Sequence, residues 1–206
     1  MFENTLAVDT KKLLDKMSKL HWVDKYYLAG GTALALQLGH RQSVDLDFFC
    51  IDNINNVDLK NKLSKVGKFK LVNEEENTID GILDGVKVSF MTYPYPLLYK
   101  AIIYKKYVKL AFVKDIAVMK LGAIAGRNTK KDFIDLYYFL HKEKLYLNDL
   151  FKILKKKFKG FEYDKYHIYK SLIFFNEADK DPTPKMIEKI EWDKVKRFFK
   201  NEIKNI

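Results

Sequence analysis

The sequence predicts an α+β protein: a small mixed sheet with flanking helices, followed by a helical second half. Three observations carry this. An apolar run breaks at Gly30-Gly31 into a short helix and then a strand built around Asp45 and Asp47. Two short β-type runs, 78–83 and 86–91, are joined by Asp84-Gly85, a strong hairpin signal. From residue 111 onward the apolar residues recur mostly at helical spacing. No repeat or low-complexity linker divides the 206 residues, so residues 1–110 are expected as the core and 111–206 as a helical region completing the same unit.

In chain order, Leu13, Leu14, Met17 and Leu20 predict a leading helix with lysines on its other face. Tyr26 to Ala29 can be a short strand. Ala33 to Leu38 are strong helix formers, and Gly39 ends that helix early. Val44 to Phe49 read as the second strand. Leu59 and Leu63 sit four apart in a helix over 57–66, and Phe69 to Val72 read as a strand. Pro94 and Pro96 end the sheet region, because prolines at alternate positions favour extended chain. Residues 97–110 fit either a strand pair or a bent helix. Asp115 to Arg127 form a helix that Asp115 can cap, and a second helix runs over 131–141. Beyond 145, Leu150, Phe151, Leu154 and Phe158 make one apolar face, with Lys152, Lys155, Lys156, Lys157 and Lys159 solvating the other. Asp181-Pro-Thr-Pro184 reads as a linker or cap before a last helix, whose Trp192, Val195, Phe198, Phe199 and Ile203 form a stripe that must be buried.

Chemistry concentrates between residues 30 and 47. Glycines at 30 and 31 let the backbone approach a ligand closely. The helix N-terminus that follows offers unpaired N–H groups and the positive end of a dipole, which suits a phosphate. Thr32 can cap that helix or meet a phosphate oxygen. Asp45 and Asp47, two apart on a strand, project from one face. Paired carboxylates repel unless a cation lies between them, and oxygen-only ligation suits Mg²⁺, which also accepts nucleotide phosphates. His40-Arg41 suits a phosphate-facing or turn-stabilising role, and Ser43 can bind a phosphate or hold the loop.

The stretch GGTALALQLGHRQSVDLDFF (30–49) and a second, KLGAIAGRNTKKDFID (120–135), occur in that order. The layout resembles the polymerase-β-like nucleotidyltransferase signature, and more closely the AbiEii/AbiGii toxin family of bacterial nucleotidyltransferases. The resemblance spans most of the chain from Tyr27 onward and is specific in these two motifs. It implies transfer of a nucleoside monophosphate from an NTP to an acceptor hydroxyl, with the metal on Asp45 and Asp47 and the triphosphate over Gly30, Gly31 and Thr32. It also implies that Lys120 contacts the triphosphate and that Asp132 completes the acidic site or acts as a base. Arg41, Ser43, Arg127 and Lys131 would be further phosphate or RNA contacts. The implied setting is the toxin half of a toxin–antitoxin or abortive-infection pair, with an antitoxin as partner and tRNA 3′ ends as acceptors. Many polymerase-β-like enzymes carry a third acid on a later strand. Here the corresponding position is Ser89, so either Asp132, Asp135 or Asp80 replaces it, or catalysis is slow or absent. Asp132 and Asp135, three apart in a first helical turn, also suit plain helix-dipole charges, or for Asp135 a salt bridge to Arg127.

The formal net charge is +11, and it is unevenly spread. Residues 1–93 carry 12 Lys+Arg against 13 Asp+Glu, whereas 94–206 carry 26 against 14. An anionic partner such as RNA suits the second half. Only three of the basic residues are arginines, and a lysine-rich solvated surface explains the same excess. The single cysteine, Cys50, excludes an internal disulfide or a cysteine-based metal site, and no zinc-type His spacing occurs. No dinucleotide-type glycine string or P-loop is present. No apolar run reaches spanning length and no secretory leader is evident, so a soluble cytoplasmic protein is expected. Two other classes fit the same residues: a nucleotidyltransferase acting on a small molecule, and a nucleotide- or RNA-binding module without turnover.

Overall fold

A computed structural model describes residues 1–206. Seven strands form one mixed sheet in the order β3-β4-β5-β2-β1-β7-β6. Helix α1 (Val8–Met17) precedes β1 (Tyr27–Leu28), α2 (Gly30–Leu38) and β2 (Leu46–Cys50). Then come α3 (Asn56–Val66), β3 (Phe69–Glu75), β4 (Thr78–Leu83) and β5 (Val86–Thr92). Strands β6 (Ile102–Lys105) and β7 (Val108–Leu110) close the sheet. Helices α4 (Val113–Arg127), α5 (Lys130–Glu143), α6 (Leu147–Lys157), α7 (Lys165–Ile173), α8 (Asn176–Lys180) and α9 (Trp192–Lys204) make up the rest. One core of 51 buried residues runs from Leu6 to Phe199, so sheet and helical half are packed together.

The Asp84-Gly85 hairpin forms as expected, with both residues at positive φ (49° and 85°), the conformation that the right-handed strand twist favours in a two-residue turn. Elsewhere the boundaries move for identifiable reasons. Helix α1 begins at Val8 because Thr10 takes a core position; its hydroxyl donates to the Val44 carbonyl at 2.8 Å, a polar contact that hides the apolar period. Strand β2 begins at Leu46 and not at Val44, since the Asp45 carbonyl is taken by the Thr32 hydroxyl. Residues 97–110 contain the hairpin β6–β7, and β7 lies parallel to β1. Helix α4 starts at Val113, so Asp115 is not its cap. Instead Asp115 is buried and accepts from the Leu98 and Tyr99 amides and from Lys157 Nζ at 2.8 Å. Lys157 therefore does not solvate α6; it is a buried partner that ties the proline segment to the helical half. The stripe on α9 packs Phe199 and Trp192 against Phe133 of α5.

Two contacts shape the region around Asp47. The 40–42 loop is strapped by residues 185–187, where Gln42 donates to the Lys185 carbonyl at 2.8 Å and Ile187 to that of His40 at 3.0 Å. Strand β2 lies parallel to β5, which places Asp47 beside Ser89, and Ser89 beside Asp80 on β4.

Candidate active site

Gly30 is the first residue of α2 and adopts φ +64°, a left-handed conformation that favours glycine. A Cβ there would fall inside van der Waals contact with the Asp47 carboxylate. A Cβ on Gly31 would likewise collide with the Arg41 guanidinium. Gly30 thus brings the opening turn of α2 onto the acidic strand, and Gly31 brings it onto the loop that carries Arg41 and Ser43. Ala29 provides no side-chain cap and the first turn contains no acid, so its leading amides have no intrahelical partner. Thr32 is fully buried and does not face this turn's exterior; its hydroxyl lies 2.8 Å from Ser43 Oγ and bonds the Asp45 carbonyl. It fixes the helix to the strand, with Ser43 as its second partner.

Asp45 and Asp47 are half-buried. They line a cleft of about 330 Å³ together with Gly31, Ser43 and six cationic side chains: Arg41, Lys87, Lys120, Arg127, Lys131 and Lys185. Burial, then the neighbouring Asp45 charge, pushes the Asp47 carboxyl above its ordinary range. Lys120, Arg127 and Lys131 act in the opposite direction but do not outweigh burial and Asp45. No group of three or more His, Cys, Asp or Glu side chains is gathered as a metal cluster. Ser89, where a third acid was sought, donates to Asp80 Oδ1 at 2.6 Å, so Asp80 lies in the same row as Asp47 but two strands away.

Behind this cleft lies an ionic network drawn from three elements. Lys120 Nζ is 2.7 Å from Asp132 Oδ1 and 2.6 Å from Asp135 Oδ2. Asp132 also accepts from Arg127 Nε at 2.7 Å, Arg127 Nη2 at 2.9 Å and Thr129 Oγ1 at 2.6 Å. Asp135 accepts from Arg41 Nε at 2.6 Å and Nη2 at 2.9 Å, and from His40 Nε2 at 2.7 Å. Its partners are Arg41, His40 and Lys120, and not Arg127. Both carboxylates are fully buried, which alone would raise their pKa values. For Asp132, Lys120 and Arg127 overcome that burial and hold the group far below the usual range. For Asp135 the Arg41 and Lys120 charges do the same. Burial likewise disfavours the Lys120 charge, but the two carboxylates outweigh it and its pKa rises. His40 is pushed down by burial, so it is neutral and donates through Nε2.

The structure therefore gathers Gly31, Arg41, Ser43, Asp45, Asp47, Lys120, Arg127 and Lys131 around one cleft, and Gly30 lines an adjoining cavity that shares Asp47, Lys120 and Arg127 with it. Asp132 lies behind it. Sequence reasoning missed Lys87 and Lys185. Lys87 follows from strand alternation, two residues before Ser89 on the same face of β5. Lys185 reaches the cleft only because of the strap, and nothing local marks it.

A mixed sheet with an open helix N-terminus over paired carboxylates, ringed by cations, is a nucleotidyltransferase architecture, and the protein is of that enzyme class. A family model described as nucleotidyl transferase AbiEii toxin, of type IV toxin–antitoxin systems, matches residues 12–96. A protein of Aquifex aeolicus (strain VF5), aq_aa25, itself uncharacterised, is 35% identical over 204 residues, covering 97% of this chain and 96% of its own. The chain belongs to the AbiEii nucleotidyltransferase toxin family. Among solved structures, a candidate nucleotidyltransferase from H. pylori superposes with a TM-score of 0.54 at 17% identity, covering 97% of this chain and 93% of that one. MenT4, a nucleotidyltransferase toxin of Mycobacterium tuberculosis H37Rv, gives 0.54 at 14% identity over 96% and 85%. At these identities the two likenesses speak for the fold.

Proposed function

We propose that the protein is a Mg²⁺-dependent transferase that moves a nucleoside monophosphate from an NTP to an RNA hydroxyl, acting in the cytoplasm as the toxin of a toxin–antitoxin pair. One observation carries the reading: the uncapped first turn of α2 lies against Asp47 at Gly30 and against Arg41 at Gly31, beside a cleft ringed by six cations. The donor set fits magnesium. Asp45 and Asp47 offer hard oxygens from adjacent same-face positions of one strand segment, the ligand type magnesium takes. Asp45 and Asp47 would hold the ion, with nucleotide phosphates completing its shell. When bound, it neutralises phosphate charge and polarises the phosphoryl group under attack.

The chain's own groups do the rest. The Gly30-Gly31 amides receive phosphate oxygens, and the positive end of the α2 dipole favours their charge. Lys120, locked by Asp132 and Asp135, presents a fixed positive charge where the pyrophosphate develops negative charge; such charges act best when they need no reorganisation. The acceptor hydroxyl oxygen bonds to the α-phosphorus and gives up its proton to solvent, the bond from the α-phosphorus to the α–β bridging oxygen breaks, and pyrophosphate leaves. Asp132 enters as a positioning residue: each of its oxygens already accepts two bonds, and its depressed pKa makes it a poor proton acceptor. Arg41 shapes the cleft through its charge, since Nε and Nη2 serve Asp135 and Nη1 serves the Gln42 carbonyl. Arg127, Lys131 and Lys185 are the exposed or half-buried cations nearest an incoming polyanion. The excess of basic residues after residue 94 is compatible with RNA as that polyanion, and tRNA is the acceptor that the family resemblance implies. No helix is long and apolar enough to cross a membrane.

One alternative has an observation behind it. With only two carboxylates in the cleft, a module that binds metal–nucleotide without turnover is the rival reading. The test is incubation with Mg²⁺, total tRNA and each α-³²P-labelled NTP in turn. Label on tRNA that is lost in Asp47→Ala supports transfer. Binding of Mg²⁺–NTP by calorimetry with no label on any RNA supports the rival, or a small-molecule acceptor.

A further inference from the structure

A second cavity, of about 520 Å³, opens on the other side of the same ridge. It shares Asp47, Lys120 and Arg127 with the cationic cleft, but its walls are of opposite character. Phe49 and Met91 continue β2 and β5 beyond Asp47 and Ser89, two residues on and therefore on the same face. Tyr93, Tyr95 and Phe158 form the far wall. The Tyr95 ring lies edge-on to Phe158 and Tyr93, with centroids 4.6 and 4.9 Å away. Helix α4 forms the remaining side, and it presents Gly122 and Gly126 there.

Those two glycines are unexplained by the fold. They lie four apart on one face of a fifteen-residue helix, where glycine is the worst ordinary residue for stability. Neither has a positive φ, and a Cβ built on either meets no atom within 4 Å. Close packing is therefore not the reason for them, in contrast to Gly30 and Gly31. Their effect is to keep one face of α4 bare opposite an aromatic wall, the shape that accepts a flat ring.

We infer that this cavity takes the nucleobase of the bound NTP, stacked among Tyr93, Tyr95 and Phe158 against the bare Gly122/Gly126 face of α4. The inference rests on the proposed nucleotide chemistry of the neighbouring cleft. Continuity selects the occupant: with β- and γ-phosphates among the cations and the α-phosphate at Asp47, the nucleoside continues past the Asp47–Lys120–Arg127 ridge into the adjoining apolar space. Charged side chains occur only at that ridge end, and the rest of the slot is aromatic and apolar, which suits holding a base by its π-faces.

The test fills the slot from the open side. Gly126→Leu and, separately, Gly122→Leu start a side chain from Cβ positions that meet no other atom within 4 Å, and thermal melts check that each variant folds. Calorimetry with Mg²⁺ then compares the tightest-binding NTP with inorganic tripolyphosphate, which has no base. The expected result is NTP binding weakened about tenfold or more, as for loss of one base–aromatic stack, with tripolyphosphate binding unchanged. Tyr95→Ala, which removes a wall without filling the slot, should weaken NTP binding in the same selective way. The inference is overturned if the leucine variants bind NTP like the wild type, or weaken both probes alike. It is also overturned if they lose transfer to RNA with NTP binding intact, which would give the slot to the acceptor. A wild-type chain that binds tripolyphosphate and NTP equally removes the base pocket alone. One that binds neither removes the nucleotide reading beneath it.

Discussion

Replacing Lys120 by methionine keeps the side-chain stem and removes one charge from the buried network. In the wild type that ammonium is 2.7 Å from Asp132 and 2.6 Å from Asp135, and all three residues are almost fully buried. Removing one partner of a buried ion pair costs about 3–5 kcal/mol, because the remaining charge stays desolvated. Here Asp132 keeps Arg127 and Thr129, and Asp135 keeps Arg41 and His40, so the lower end applies, about 3 kcal/mol. For a chain of this length that is a fall in Tm of roughly 6–12 °C, read by circular dichroism at pH 7. Asp135→Asn also removes the partner of Arg41, so the double change Lys120→Met/Asp135→Asn should cost less than the two single changes summed, a coupling of about 1 kcal/mol or more. A Tm for Lys120→Met within about 2 °C of wild type would show that the ammonium is not held by the two acids. The argument for a preorganised positive charge would then fail.

Other outcomes follow from the same geometry. Asp47→Asn should abolish nucleotidyl transfer while leaving the metal-free Tm unchanged or higher, since it removes a charge that burial and Asp45 disfavour; a clear drop in Tm would contradict this. Gly30→Ala should destabilise by about 1–3 kcal/mol from the left-handed backbone alone, and should impair Mg²⁺–NTP binding by displacing the Asp47 carboxylate; near-native values in both would contradict the close approach. Asp132 and Asp135 have folded pKa values below the ordinary one, so their stabilising contribution is complete above about pH 4 and is lost as pH falls toward the depressed values. The destabilisation by Asp135→Asn in urea should accordingly shrink by about 1 kcal/mol between pH 7 and pH 3; an equal penalty at both would show that Asp135 is not held ionised.

How far the sequence predicts the site depends on whether the signal is local. The Gly-Gly turn, the Asp45/Asp47 spacing and the Asp-Gly hairpin are backbone and alternation rules acting over a few residues, and they place the cleft. The 97–110 hairpin was ambiguous because its partner β1 is only two residues long, so pairing with β7 comes from tertiary placement. Asp132 and Asp135 read from the sequence as ordinary first-turn acids, but α5 begins at Lys130, which leaves only Asp132 in that turn, and Arg41, 94 residues from Asp135, is brought onto Asp135. Lys157 sits in a lysine run that reads as solvated, and only the buried Asp115 distinguishes it. The inward direction of the Thr32 hydroxyl was open for the same reason: a threonine at a helix start has two uses, and Ser43 and the Asp45 carbonyl decide between them.

The account turns on Asp45 and Asp47 as the ligands of a nucleotide-bound divalent cation. The most direct measurement is anomalous diffraction from crystals grown with Mn²⁺, as a Mg²⁺ stand-in, and an NTP whose α–β bridge cannot be cleaved. The account predicts one strong anomalous peak bonded to both carboxylates and to phosphate oxygens, with the phosphates over the Gly30-Gly31 turn. A nucleotide bound elsewhere, or phosphates in this cleft with manganese away from both aspartates, would contradict it.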